Sequence, residues 1–285
     1  MAIDISRRIK DCYPTFSKGQ KKIANIILNS CDKAVYMTAA KLGRLADVSE
    51  STVVRFSNEL GFEVYSEFQK AIQELVRTKL TPNQRIEVTK QRIGRADILE
   101  SVMESDISKI RNTLDHISRE DFYKSVDAIL NAERIYIMGA RSSEPVARIL
   151  NYNLALIFDN VKFVQATSSA EVFEQMFSIG ESDVLIAFSF PRYSSKMINA
   201  VKYANQNGAQ VVVFTDSKFS PLAEYATYLL TAQSDMASFM DSLVAPISII
   251  NAIIVEITNR REREITKRFD SLEKVWDEYE VYAKR

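Results

Sequence analysis

Two hydrophobic periods share this chain, and one gives way to the other near residue 132. Up to that point apolar residues recur every three or four positions, the spacing of one face of an α-helix. Ile23, Ala24, Ile26, Ile27 and Leu28 follow Ser17 and Gln20, the hydroxyl and amide of a capping box, and predict a first helix. Thr38 heads a second, 39–46, in which Leu42, Leu45 and Ala46 are expected to face inward. Asp47-Val48-Ser49 breaks it, Ser49 caps a third helix over 50–60, and Gly61 closes that helix in the left-handed position. Within the third helix Val53, Val54, Phe56 and Leu60 are apolar, while Ser51, Thr52, Arg55 and Asn58 are polar. Tyr65, Phe68, Ile72, Leu75 and Val76 predict a further helix of the same bundle. Thr81-Pro82 interrupts the pattern, and the polar stretch after it predicts a linker over 81–96. The helical period resumes over 97–117 through Ile98, Val102, Ile107, Ile110 and Leu114, and again from Ser118 to about Asn131.

Beyond residue 132 short apolar, β-branched runs take over. Residues 134–138, 184–190 and 210–215 predict buried parallel strands, with 162–165 and 228–231 as weaker ones. Helical patterns separate them at 144–158, 170–179, 195–207 and, shorter, 222–226. The expected fold is therefore an all-α bundle over 1–80, a linker over 81–96, and a three-layer α/β domain with a parallel sheet over 97–285. Residues 238–265 are apolar on more than one side and predict a buried helix, against the sheet or in a subunit interface; 260–280 predicts a charged tail with Trp276 as an anchor.

Ligands in such sheets sit at the carboxyl ends of strands, which singles out the loops 139–143, 189–195 and 216–220. Hydroxyls gather there: Ser142 and Ser143 after the first strand, Ser189, Ser194 and Ser195 after the third, with Ser168 and Ser169 ahead of another helix. A serine at a helix start either caps the free N–H groups itself or shares them with a bound anion.

Composition narrows the classes. With 285 residues, 46% hydrophobic and 26% charged, the chain has the make-up of a folded soluble protein. Its longest apolar stretch, 247–257, is broken by Ser248, Asn251 and Glu256, so neither a membrane span nor a signal peptide is expected. Cys12 and Cys31 are the only cysteines and stand apart from the single His116, which supports neither a disulfide framework nor a metal site; a reducing cytoplasm is expected, and no cofactor. The net charge of zero conceals an asymmetry: residues 1–80 hold thirteen Lys/Arg against nine Asp/Glu, and the remainder is acidic by the same margin.

Two short helices around a tight turn, the second opening with small hydroxyls and carrying a basic residue one turn on, match a helix-turn-helix. The amino end of a recognition helix enters the major groove, so Ser51 and Thr52 are short enough to approach bases or phosphates and Arg55 can reach guanine or the backbone. The stretch "VSESTVVRFSNELGF" within residues 37–75 resembles the helix-turn-helix of the RpiR/MurR family of bacterial transcription regulators. That resemblance implies a double-stranded DNA operator as partner and Ser49, Ser51, Thr52, Arg55 and Asn58 as the DNA-binding set. Lys21, Lys22 and Lys41 are further candidates for phosphate contacts.

Residues 132–232 resemble the SIS (sugar isomerase) domain, the phosphosugar-binding module of that family. The family pattern G-x-G-x-S is met by Gly139 and Ser143, with Arg141 in place of the second glycine. The pattern S-x-S-G-x-S/T is met by Ser189 and Ser194, with Pro191 and Arg192 in place of the inner serine and glycine. The resemblance implies an anion site of Arg141, Ser142, Ser143, Ser189, Arg192, Ser194 and Ser195. Two readings of the arginines stand: they bind a phosphosugar or similar anion, or they pair with a carboxylate such as Glu144 or Asp216 and close the site. Two readings of the chain stand as well, a DNA-binding regulator of sugar metabolism without a catalytic residue, or a sugar-phosphate isomerase carrying a DNA-binding module, for which Glu171 is the one placed base. A homodimer is expected, through the 238–265 helix or the first helices of the SIS domain.

Overall fold

Hydroxyl residues cap the helices they were expected to open. Ser17 and Gln20 bond reciprocally, Ser17 N–H donating to Gln20 Oε1 at 2.8 Å and Gln20 N–H to Ser17 Oγ at 3.3 Å. Thr38, Ser49 and Ser118 accept from the third residue beyond each. These features belong to a computed structural model that describes residues 5–29, 34, 37–69, 71–72, 81–94, 97–165 and 168–283.

The chain divides into two compact units, Met1–Arg95 with Met236–Met240, and Ala96–Asp235 with Asp241–Arg285. The first contains helices α1 (Ile5–Cys12), α2 (Lys18–Asn29), α3 (Ala39–Ala46) and α4 (Glu50–Glu59), then a helical stretch at 65–69 and α5 (Pro82–Ile93). Ile9, Ile23, Ile27, Leu42, Phe56 and Phe68 are fully buried in its core, with the Phe56 ring 5.0 Å from Phe16 and 5.8 Å from Phe68. Leu45, expected inside, is instead exposed. Ala39, Leu42 and Ala46 set the inward arc of α3, and Gly43 takes the remaining inward place. A Cβ on Gly43 would lie 2.9 Å from the Val48 carbonyl, so a residue without a side chain lets the turn fold tightly against the helix. Leu75 and Val76 lie outside the described residues. The 81–96 segment, expected to be a linker, carries α5: Thr81 and Gln84 form a capping box and Pro82 occupies the first turn, which needs no N–H donor.

In the second unit α6 (Ile98–His116) and α7 (Arg119–Asn131) precede five strands: β1 (Ile135–Gly139), β2 (Val161–Val164), β3 (Val184–Phe188), β4 (Gln210–Thr215) and β5 (Tyr228–Thr231). All pair in parallel in the order β2-β1-β3-β4-β5. Intervening helices are α8 (Glu144–Ile157), α9 (Ser169–Gln175) and α10 (Ser195–Gln206). The three central strands are buried on both faces, as their unbroken apolar runs require. Ile135, Ile137, Ile186 and Phe214 pack with α7, α8 and α11 (Val244–Arg260), while Met138, Leu185, Ala187 and Val213 pack with α9 and α10. The apolar helix begins at Val244, not at 238, because Pro246 is tolerated in a first turn but would clash with the carbonyl of a residue 242 held in the helix. It ends at Arg260, and α12 (Glu262–Glu278) follows.

Candidate functional site

Two surfaces gather the residues singled out by sequence. On α4, Ser51, Val54, Arg55 and Asn58 are exposed and follow the 3–4 spacing of one helix face. Val53 and Phe56 bury the opposite face in the bundle core. Ser49 Oγ accepts from Thr52 N–H at 3.3 Å and lies 2.8 Å from both the Ser51 and Thr52 hydroxyls, so these side chains form one hydroxyl cluster at the amino end of the helix. Arg55 Nε donates to the Ser51 carbonyl at 3.3 Å, which holds the side chain along that face. Asn58, turned so that its amide donates, reaches the Phe62 and Val54 carbonyls at 3.1 and 3.3 Å, and so closes the end of the helix as well as lying on its exposed face.

The three flanking lysines differ. Lys22 donates to Asp47 Oδ2 at 2.9 Å, and that hydrogen bond together with the ammonium charge holds the Asp47 carboxyl below its usual range. Lys21 lies 5.7 Å from the centre of the Tyr13 ring, and Lys41 is exposed. Val54 was passed over in the sequence because an apolar residue inside a helix reads as core. Its position three residues after Ser51 was the available signal.

The second surface is the carboxyl edge of the sheet. β2 and β3 lie on opposite sides of β1, so the chain reverses direction across the sheet between β1 and β3, the place where such folds open a crevice. Gly139 at the end of β1 pairs with Phe188 at the end of β3, which puts the loops that follow side by side. A Cβ on Gly139 would lie 2.7 Å from the Ser143 carbonyl and 2.8 Å from the Ala147 Cβ, so glycine allows α8 to start against the strand end.

Both substituted positions keep a glycine-like backbone. Arg141 has φ 57° and Arg192 has φ 64°, in the left-handed region that costs an ordinary residue about 1 kcal/mol. Phe190 and Pro191 are buried, which pins the loop beneath an exposed Arg192. Neither arginine has a hydrogen-bond or ion-pair partner among the described residues. Glu144, one carboxylate considered for pairing, is taken by Arg148 at 2.8 Å. Asp216, the other, accepts from the Tyr193 hydroxyl at 2.7 Å and from Thr215 Oγ1 at 3.2 Å, a link between the loops after β3 and β4 that sequence did not suggest.

The serines separate into two kinds. Ser168 caps its helix, accepting from Glu171 N–H at 3.1 Å. Ser143 and Ser194 stand at the starts of α8 and α10 and make no side-chain capping bond; at α8 the Glu144 N–H donates to the Arg141 carbonyl and Pro145 has no N–H, whereas at α10 the first N–H groups are left without a side-chain cap. Ser143 and Ser189 are buried, Ser194 is half-buried, and Ser142 and Ser195 are exposed. Elsewhere, His116 Nδ1 lies 2.8 Å from the Asn112 carbonyl at the exposed end of α6.

Among the described residues no helix is long and apolar enough to cross a membrane.

Comparison with known proteins places both units. The helix-turn-helix domain of the rpiR family matches residues 3–79, and the SIS domain matches residues 128–256. An uncharacterised HTH-type transcriptional regulator of Haemophilus influenzae is 28% identical over 80% of this chain and 79% of its own. One of Thermotoga maritima is 25% identical over 92% and 95%. A bifunctional glk protein of Burkholderia mallei is 26% identical over 89% of this chain, which spans 38% of that longer protein. Among solved structures, the Vibrio vulnificus NanR protein complexed with ManNAc-6P aligns over 99% of this chain and all of its own at 21% identity, with a TM-score of 0.62. The sugar isomerase domain of an RpiR transcription factor from Sphaerobacter thermophilus covers 61% of this chain and 97% of its own at 24% identity, TM-score 0.58. With the family's helix-turn-helix followed by a SIS domain, this chain belongs to the RpiR family of transcriptional regulators.

Proposed function

We propose that the edge between the loops after β1 and β3 binds a phosphosugar or a related small anion, and that its occupancy alters how α4 reads an operator. The observation that carries this reading is the state of Arg141 and Arg192: both hold a left-handed backbone and neither has a partner among the described residues, beside two helix starts without side-chain caps. A strained, unpaired guanidinium is the arrangement of a group kept for a ligand, and its planar fork suits a phosphate. NanR, which shares the fold, is complexed with ManNAc-6P, which supports a phosphosugar as the class to try first. DNA is the second partner: Ser49, Ser51, Thr52, Arg55 and Asn58 lie at or along the exposed face of α4, where a recognition helix meets the major groove. We read the chain as a cytoplasmic sensor that does not catalyse. Glu171, the base considered for an isomerase, follows the edge strand β2, one strand away from the β1/β3 junction.

Calorimetric titration of the purified chain with a panel of hexose and N-acetylhexosamine 6-phosphates tests the anion site. Wild type is expected to bind at least one, with Kd raised at least about tenfold in Arg141→Gly and in Arg192→Gly, the loss of one charge-assisted contact. Melting temperatures of both variants should stay near wild type, because relief of the left-handed strain offsets the added freedom of the unfolded glycine. No heat from any member of the panel, or equal affinity in the variants, contradicts the assignment.

A further inference from the structure

The residues Met236–Met240 lie inside the stretch that matches the SIS domain, yet they belong to the first unit. Chain continuity therefore joins the two units between Asp235 and Met236 and between Met240 and Asp241, as well as between Arg95 and Ala96. The tip of this strap is anchored in the helical unit. Met236 packs against the core that also buries Leu42 of α3 and Phe56 of α4, and the buried Arg85 of α5 donates through Nη1 to the Phe239 carbonyl at 3.4 Å. Ala237 N–H and Ser238 N–H both donate to the Met240 carbonyl, at 3.0 and 3.3 Å, which closes the tip as a turn.

The root of the strap belongs to the second unit, at the carboxyl end of β5, on the edge where all five parallel strands end. Ser242 N–H donates to the Asp235 carbonyl at 3.1 Å and closes the neck. The polar inward side of α6 holds both arms: Gln233 N–H donates to Thr113 Oγ1 at 2.9 Å and Ser242 Oγ to Asp106 Oδ1 at 2.8 Å, while Lys109, only 3% exposed, donates to the same carboxylate oxygen at 3.0 Å. From the root a continuous run of bonds leads back to the anion loops. Ala232 N–H donates to the carbonyl of the fully buried Thr215 at 2.8 Å, Thr215 Oγ1 donates to Asp216 at 3.2 Å, and Asp216 accepts at 2.7 Å from the hydroxyl of Tyr193, the neighbour of Arg192. Gln233 Oε1, on the same run, is buried without a hydrogen-bond partner. An unpaired buried acceptor favours any rearrangement that pairs it, which gives the root a second arrangement to move to.

We propose that Met236–Met240 is the strap through which the anion edge acts on the DNA-binding unit. An anion drawn to Arg192 shifts Tyr193 and Asp216, the end of β4 carries the shift to the root, and the tip passes it into the core that α3 and α4 share. The inference rests on the reading of that edge as an anion site and adds to it the route by which occupancy is felt.

Hydrogen exchange and DNA binding of the full chain test it. Thr113→Val removes a bond at the root and is expected to speed amide exchange in α3 and α4 at least about twofold, whereas the same substitution in a Met236→Gly background is expected to leave their exchange unchanged. With a phosphosugar found to bind in calorimetry, the change in DNA Kd on adding it should be at least about fivefold in wild type and fall to within about twofold in Met236→Gly, with the sugar Kd unmoved. Met236→Leu, which keeps an apolar side chain in the core, should behave as wild type in both measurements. Exchange in α3 and α4 that ignores Thr113→Val, or full coupling in Met236→Gly, overturns the proposal. A wild type that binds no phosphosugar contradicts the anion reading instead, and the exchange measurement, which needs no sugar, then decides the strap by itself.

Discussion

Arg141 and Arg192 retain the backbone of the glycines they replace, and this changes what their side chains mean. A loop that lost its glycines could have collapsed into an extended form with the arginines packed over it. It did not, because φ at both positions stays near +60°. The first glycine of the loop after β1 tolerates no such exchange. Gly139 faces the Ser143 carbonyl and Ala147 Cβ at under 3 Å from any added Cβ, and both belong to the start of a buried helix. Gly139→Ala is expected to destabilise the protein by about 1–3 kcal/mol, the usual result of forcing a methyl into packed structure. Urea unfolding followed by circular dichroism measures it, and an unchanged midpoint would mean that α8 yields more easily than its packing implies. The residue types in these loops were readable in sequence, and the family template marked the two exchanges. Their φ angles were not, since nothing local distinguishes an arginine held left-handed by Phe190 and Pro191 beneath it from one in an ordinary turn.

At the scale of elements, α4 shows what periodicity captures and what it leaves out. Val53 and Phe56 are core and Ser51 and Arg55 are exposed, as their types suggest, yet Val54 stands outside at 36% exposure, on the helix face that Ser51 and Asn58 share. On a recognition helix an apolar side chain there is suited to a thymine methyl. Using sites selected from random duplexes, Arg55→Ala is expected to weaken binding by about 1–3 kcal/mol, the worth of a specific base contact. Val54→Ser should lose affinity chiefly at sites containing thymine, measured against uracil replacements; equal loss on both would place Val54 away from the bases. The helical signal at 97–117 was clear, but which side of α6 faces inward was not. The pattern alone turns Ile107 and Ile110 to the core, whereas the inward side carries Lys109, Thr113 and Asp106, of which Thr113 and Asp106 are bonded to residues more than a hundred positions away. Long-range polar partners leave no local trace. The 238–265 helix begins later than its composition suggests for a different reason, since Phe239, Met240 and Leu243 continue the apolar composition while Pro246 dictates the start.

For the whole molecule, strand number, direction and loop positions followed from the change of period at residue 132, while the order β2-β1-β3-β4-β5 required the structure. That order is what sets the ends of β1 and β3 side by side, and with them the loops that carry Arg141 and Arg192. A small anion at this edge is expected to shift the affinity of the helix-turn-helix for DNA, as two linked equilibria must if the ligand favours one arrangement of the protein. Fluorescence anisotropy of a duplex selected by the protein, titrated at fixed salt with and without a phosphosugar found to bind in calorimetry, measures that coupling directly. The predicted result is a change of at least about fivefold in Kd for DNA, corresponding to about 1 kcal/mol of coupling, that disappears in Arg192→Gly. An identical DNA affinity with the sugar site saturated and empty would contradict the account.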